Sequence, residues 1–543
     1  MLPHDAFWIA DNGNKALVAE RLLATGYARF DFEHPAARFD PSGRGFPIDP
    51  PFRVALRDGR PASVWLPAYP ALAAPFLAWL GTPGLAVPAA LGVGASAALM
   101  VLWLAPALGT AAAVAGALAL VFATPLVFYG VTVWEHSLAL ACCLGAWIAL
   151  ARPTPRRLAL AGALVAVGCV FRDELALVGI ATAAACFATT RRIADVVALA
   201  LGTLPVAIAL VAFQIAAYGN PLGPHLSATL LGDAVASDSG AGALAPLVRW
   251  LRAATSLVAG YGANGAEAVG FAASIGAVGL AGVVATRRGT TPRGVAAALA
   301  VVATLAAWAL GLVRLLGADD PLAVLVRYNG ILIQLPIAGL AGVGGALAWR
   351  SATLARIAPG LVAGAIFLAL GVAFGAATPF SSGIHIGPRC LMPAFPALVV
   401  LALVAARDGG RAARAGCALL AAAGLASTGL ASWLLREQLR ENERLAATLL
   451  ASPEPVVVTS HALLPQQLAP IWDRKPMLLA RGPAEIEAVA RDLAAQGVDG
   501  FALLVPPGAS PTAVRGARCT LRATQRGAHV KYLDVDVLAC RVR

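Results

Sequence analysis

Eight residues of this chain have side chains and positions suited to chemistry: Asp11, Glu135, His136, Arg172, Asp173, Glu174, His385 and Arg389. They fall between hydrophobic segments in a chain otherwise sparing with charge. If its arginine clusters mark the cytoplasmic face, all eight gather at the opposite membrane face or just inside it. Acids, imidazoles and arginines collected at one membrane surface suit an anionic, lipid-borne substrate.

The elements that must position them are membrane spans. With 59% hydrophobic residues, 13% charged residues and a mean hydropathy of +0.76 over 543 residues, a soluble globular chain is excluded. The formal charge of +12 is mostly arginine, Lys15, Lys475 and Lys531 being the only lysines. Topology explains that excess better than nucleic acid, which is not expected as a partner.

Apolar runs predict about twelve spans, near 84–106, 110–129, 133–151, 158–171, 174–190, 193–217, 265–286, 294–316, 322–349, 357–376, 391–407 and 415–435. Every second connection is arginine-rich: Arg152, Arg156 and Arg157; Arg191 and Arg192; Arg287, Arg288 and Arg293; Arg350 and Arg356; Arg407, Arg411 and Arg414. The connections between carry Trp134-Glu135-His136, Asp233 and Asp238, Asp319-Asp320, and His385 to Arg389. This parity puts both termini outside the cytoplasm. It also requires Arg172-Asp173-Glu174 to separate two short helices rather than interrupt one long span.

The chain thus divides into a first extracytoplasmic loop with amphipathic helices (1–66), a transmembrane region (67–436) and an extracytoplasmic α/β domain (437–543). An exported loop that begins at Met1 leads us to expect a late start and a missing first helix, making thirteen spans. Export of a short tail by the following spans is the other reading. In the C-terminal region, Val456 to Val458, Met477 to Leu479 and Phe501 to Val505 alternate with a helical pattern over 483–496, as in a small α/β domain. Cys519 and Cys540 lie in two strand-like segments there, and an oxidising compartment predicts a disulfide between them. The other six cysteines fall in or beside spans as small packing residues.

Each candidate has two readings. Asp11, leading Asp11-Asn12-Gly13-Asn14-Lys15 into a helical stretch, is either a base for an acceptor hydroxyl or a helix N-cap. Glu135 and His136 either face a site or begin an interfacial helix anchored by Trp134. Arg172 is either a planar grip on a phosphate, held by Asp173 or Glu174, or part of an internal ion pair. His385 and Arg389, on a Gly/Pro-fixed turn, form either a phosphate clamp for a lipid-linked donor or a snorkelling pair. Arg327 is a weaker candidate, and His225 reads as a loop residue. The loop near 218–262 carries no assignable chemistry. No P-loop, dinucleotide fingerprint or zinc-ligand spacing is present.

Taken in order, Asp11-Asn12-Gly13-Asn14-Lys15, the stretch Trp65 to Phe76, Trp134-Glu135-His136-Ser137-Leu138, Arg172-Asp173-Glu174 and Gly387-Pro388-Arg389-Cys390-Leu391-Met392-Pro393 resemble bacterial integral-membrane glycosyltransferases of the GT-C fold. Protein O-mannosyltransferases and lipid A aminoarabinose transferases are similar in layout. The resemblance implies a transferase that takes a sugar from a polyprenyl-phosphate donor and gives it to a lipid, glycan or protein acceptor on the extracytoplasmic face of the bacterial inner membrane. It implies Asp11 as catalytic base and Glu135 as a second acid. Arg172, Arg389, His385 and Lys15 then contact the donor phosphate, with His136, Asp173 and Glu174 in support. The family often has two adjacent acids where this chain has Asp11-Asn12. No cofactor is required by these residues; a divalent ion remains open, with Glu135 and His136 as its candidate ligands. The competing readings are a non-catalytic transporter or flippase of lipid-linked sugars and an inactive membrane scaffold.

Overall fold

The protein is described here by a computed structural model over residues 5–231, 245–260, 265–287, 289–320, 330–349, 351–377, 387–509, 514, 516–527 and 534–542. Its helices of eight residues or more are α1 (Ala10–Ala24), α2 (Ala68–Leu80), α3 (Val87–Leu108), α4 (Thr110–Phe122), α5 (His136–Leu150), α6 (Pro155–Phe171), α7 (Leu175–Thr190), α8 (Ile193–Tyr218), α9 (Gly223–Leu231), α10 (Ala245–Val258), α11 (Gly265–Ala285), α12 (Thr290–Leu316), α13 (Ala341–Ala348), α14 (Ala358–Ala377), α15 (Phe395–Asp408), α16 (Gly410–Leu450) and α17 (Pro483–Ala495). The strands are β1 (Arg53–Ala55), β2 (Pro61–Ser63), β3 (Val457–Thr459), β4 (Met477–Leu479), β5 (Gly500–Val505), β6 (Ala517–Gln525) and β7 (Val535–Val542). Two compact units result. One holds Met1–Val87, Ala216–Gly219 and Trp433–Arg543; the other holds Pro88–Ile215 and Asn220–Ser432.

The second unit is helical and apolar. Among the described residues of the whole chain, seven helices are long and apolar enough to cross a bilayer, and Ala68–Leu80, Thr110–Phe122, His136–Leu150, Leu175–Thr190 and Pro336–Ala348 are shorter apolar helices. The chain is a polytopic α-helical membrane protein with a small C-terminal α/β domain. Arg172 does separate two helices: its backbone is extended (φ −144°, ψ 123°), ending α6, and Glu174 then caps α7. α6 begins on Thr154, whose hydroxyl accepts from the Arg157 N–H at 3.4 Å, with Pro155 in the first turn. At about 1.5 Å per residue, its 17 residues span about 25 Å, near the thickness of the hydrocarbon.

Two expected spans are broken. The run expected over 322–349 is, from Gly330 onward, a single turn at Ile331–Gln334, a 3-10 turn at Pro336–Leu340, and then α13. Pro336 supplies the cause: it lacks an N–H and forces Leu335 out of the helical region, to ψ 64°. Likewise α4 stops at Phe122, and Pro125 starts a separate turn at Leu126–Gly130.

Close backbone approach holds the helical unit together, since apolar side chains gain little by leaving lipid for one another. At Gly344 a Cβ would stand 1.7 Å from the Leu401 carbonyl oxygen, so α13 and α15 meet backbone to backbone. Gly344→Ala is expected to force these helices apart and lower the melting temperature of the purified protein. An unchanged melting curve would show the contact to be dispensable.

The first unit is built from the two ends of the chain. Its five-stranded sheet runs β4-β3-β5-β7-β6, with β3 parallel to β4 and β5, and β7 antiparallel to β5 and β6. α17 makes the crossover from β4 to β5, burying Ile486, Val489, Ala490 and Leu493 at helical spacing. Ala36 and Phe39 of the first loop belong to the same hydrophobic core as Val458, Leu478, Phe501 and Leu503. The loop is tied down further where the Leu479 N–H donates to the Gly45 carbonyl at 2.9 Å.

Cys519 and Cys540 face each other across β6 and β7 and are joined by a disulfide. Closing a loop of 21 residues contributes about 3 kcal/mol by restricting the unfolded chain. Non-reducing peptide mapping should recover the linked pair, and replacing both by Ser should cost roughly that amount.

Asp40 organises the first-loop turn. Burial alone would raise its carboxyl, but Ser42 Oγ at 2.7 Å, His34 Nε2 at 3.0 Å and the Gly45 N–H at 2.7 Å outweigh this and hold it below the usual carboxylate range. A depressed folded-state value stabilises the fold above the unfolded-state value and loses that contribution as pH falls through the folded-state value. Asp40→Asn should therefore cost stability near neutrality and progressively less in acid. Melting curves of both proteins from pH 7 downward check the sign.

Candidate functional site

Three helix ends bring the charged residues of the helical unit together. Glu135 precedes α5, Arg172 ends α6 and Glu174 precedes α7. Each sign suits its helix end, carboxylates at N-termini and a guanidinium at a C-terminus. Arg172 Nε donates to both Glu174 oxygens at 3.0 and 3.1 Å, and Arg172 Nη1 donates to Glu135 Oε1 at 3.2 Å. All three side chains are buried, at 2–6% exposure. The other ends of these helices carry Arg152 after α5, Arg156 and Arg157 in the first turn of α6, and Arg191 and Arg192 after α7; all five are solvent-exposed.

The triad holds two carboxylates to one guanidinium, so when ionised it carries one negative charge in excess. Among the described residues no hydrogen bond is seen from Arg172 Nη2, and Nη1 uses one of its two N–H groups on Glu135. The neighbouring Asp173 turns outward to His225 of α9, whose Nδ1 lies 2.6 Å from Asp173 Oδ2. This contact ties α9 to the α6–α7 turn. Sequence reading missed it because His225 lies 52 residues away; the only signal was an imidazole inside an apolar loop.

An aromatic cluster adjoins Glu135. The His136 ring lies 4.8 Å from Tyr129 and 5.7 Å from Trp134, and Phe128 packs edge-on to Tyr129 at 5.3 Å. Arg389 stands with its guanidinium carbon 5.6 Å from the Trp134 ring centroid. The ring's negative face attracts the cation, which holds Arg389 beside the cluster. Glu135, His136, Arg172 and Arg389 thus belong to one neighbourhood of the helical unit. His385 and Arg327 lie outside the described residues. Among the described residues, no group of three or more His, Cys, Asp and Glu is placed to hold a metal ion.

Asp11 and Lys15 lie in the other unit, on α1. Asp11 is not an N-cap: Ile9 occupies that position and Asp11 lies within the first turn, where a carboxylate favours the helix dipole. Asp11 and Lys15 are one turn apart, hence on the same face, and are 7% and 2% exposed. Lys15 Nζ stands 5.7 Å from the ring centroids of both Trp65 and Tyr69. Tyr69 is fixed in turn by its hydroxyl, which donates to the Leu85 carbonyl at 2.8 Å.

No family model and no curated protein matches this sequence. Among solved structures, ArnT from Cupriavidus metallidurans bound to undecaprenyl phosphate is similar over 99% of this chain and 94% of its own, at 13% identity and a TM-score of 0.49. The same protein in its apo state is similar over 98% and 94%, at 14% identity and a TM-score of 0.49. Those values leave both fold and chemistry to be argued from this chain's own residues.

Removing one member of a buried ion cluster strands the others without compensation. Arg172→Leu should destabilise the protein by about 3–5 kcal/mol, because two carboxylates lose their partner. Arg157→Gln, at the exposed end of the same helix, should be near neutral. Thermal melts of the two variants in the same detergent make the comparison.

Proposed function

We propose that this chain is an integral-membrane glycosyltransferase of the GT-C type. It moves a sugar from a polyprenyl-phosphate donor to a lipid, glycan or protein acceptor on the extracytoplasmic face of the bacterial inner membrane. The observation that carries the reading is the burial of Asp11 and Lys15 on one face of α1. Acid and lysine side chains are rarely buried, and a helix that served only as a strut would turn them outward. The motif order that resembles this enzyme class supplies the chemistry.

In this reading Asp11 takes the proton of the acceptor hydroxyl as its oxygen attacks the anomeric carbon. The bond from that carbon to the donor phosphate oxygen breaks, and the phosphate leaves on its lipid. The donor phosphate carries negative charge that grows as this bond breaks, so cations that meet it favour the transition state. The resemblance gives that role to Arg172 and Arg389. Glu135 and Glu174 aim Arg172 through the bonds already described; this makes Glu135 an orienting acid as well as the second acid implied by the resemblance. Lys15 supplies a further positive charge beside Asp11, and its aromatic neighbours restrict where that charge can point.

Transfer from radiolabelled polyprenyl-phosphate sugars, in membranes expressing the full chain, tests the reading. Asp11→Asn at equal expression should lower transfer by about 10²–10⁴-fold, the range for loss of a general base. Wild-type activity that survives Asp11→Asn removes Asp11 as the base. Donor binding without transfer in the wild type would instead favour a non-catalytic carrier of lipid-linked sugars.

A further inference from the structure

The chain entering α1 is held by uncharged amides. Asn442 Nδ2 donates to the Phe7 carbonyl at 2.6 Å, Gln438 Nε2 donates to the Trp8 carbonyl, and Gln467 Nε2 donates to the same carbonyl at 3.0 Å. The Phe7 N–H returns a bond to the Gln467 carbonyl at 2.7 Å. Gln438 and Asn442 are one turn apart on α16, while Gln467 lies in the connection between β3 and β4. All three side chains are fully buried. One turn into α1, Gly13 lies so close to the Gln466 carbonyl oxygen that a Cβ would stand 1.7 Å from it.

Each of these contacts fixes a different degree of freedom of the helix that bears Asp11 and Lys15. Two donors on the Trp8 carbonyl use both of its lone pairs, so that carbonyl cannot rotate toward another partner. The donor on Phe7 fixes the approach of the preceding residue, and the Gly13 contact fixes the depth of α1. Amides perform this task without bringing a charge near Asp11, which a lysine or arginine in the same place would do. Residues separated by more than four hundred positions therefore locate a helix whose own sequence provides no side-chain cap.

We propose that Gln438, Asn442 and Gln467 are positioning residues for Asp11 and Lys15, and that the C-terminal sheet domain serves the transfer reaction as the platform for α1. The catalytic half of this proposal rests on Asp11 being the base. The clamp itself does not.

The test uses the full chain in nanodiscs with Gln467→Met, which removes the donor at similar volume, and Gln467→Glu. A carboxylate cannot donate to the Trp8 carbonyl, whereas its protonated form can. Hydrogen exchange over Asn12 to Lys15 should rise about tenfold in Gln467→Met, the loss expected for one buried hydrogen bond, with β5 still protected. Gln467→Glu should match Gln467→Met at pH 8 and return toward wild type at pH 5, each read against wild type at that pH. In the transfer assay both should lower kcat at unchanged donor KM, with the same acid recovery for Gln467→Glu only.

Unchanged exchange over α1 in Gln467→Met overturns the clamp. Raised exchange with wild-type kcat overturns the positioning role. If β5 loses protection in the Gln467 variants, Asn442→Leu decides by the same exchange and kcat readings. Wild-type protein that transfers no sugar defeats the reading of Asp11 as base, while exchange still decides the clamp.

Discussion

A charge withdrawn from water must be answered by another charge or by aligned dipoles, and at Arg172 that requirement organises the helical unit. The guanidinium sits where α6 ends, and its two carboxylates sit where α5 and α7 begin. Pairing them fixes three helix ends at one level, because a shift of any helix along its axis would strand a buried ion. The exposed arginines at the other ends of the same helices need no such partner. One apolar sequence thus acquires a charged, tightly placed end and a loosely specified one, and function is expected at the first.

The first unit solves a different problem, that of placing a buried carboxylate and a buried lysine on a short helix near the chain start. Amides secure the approach to α1, and the rings of Trp65 and Tyr69 flank Lys15. The surrounding rigidity comes from one hydrophobic core to which Ala36 and Phe39 contribute beside the strands of the C-terminal sheet. Residues that read as a loop and residues that read as a separate domain are folded together.

Local chemistry was the legible part of the sequence. Apolar length announced the spans, Arg172-Asp173-Glu174 announced a break between two helices, and the facing cysteines announced a disulfide in strands that do pair. Where a single residue overrides a hydrophobic run, hydropathy misled: Pro336 and Pro125 each divide what composition reads as one span. Asp11 illustrates the same limit at the scale of one turn. Its type before a helical stretch suggested a cap, and a shift of two residues in where the helix starts makes it a first-turn residue.

The sequence by itself determined the membrane class, the alternation of arginine-rich connections, the C-terminal α/β pattern and the residue types available for chemistry, because each follows from composition and short-range periodicity. Only the tertiary structure decided which of those residues meet. That Arg172 is shared by Glu135 and Glu174, that Asp173 reaches His225, that Arg389 lies over Trp134 and that Gln438, Asn442 and Gln467 hold the entry to α1 are contacts across tens to hundreds of residues. Their energies depend on burial and direction, and a linear sequence carries neither.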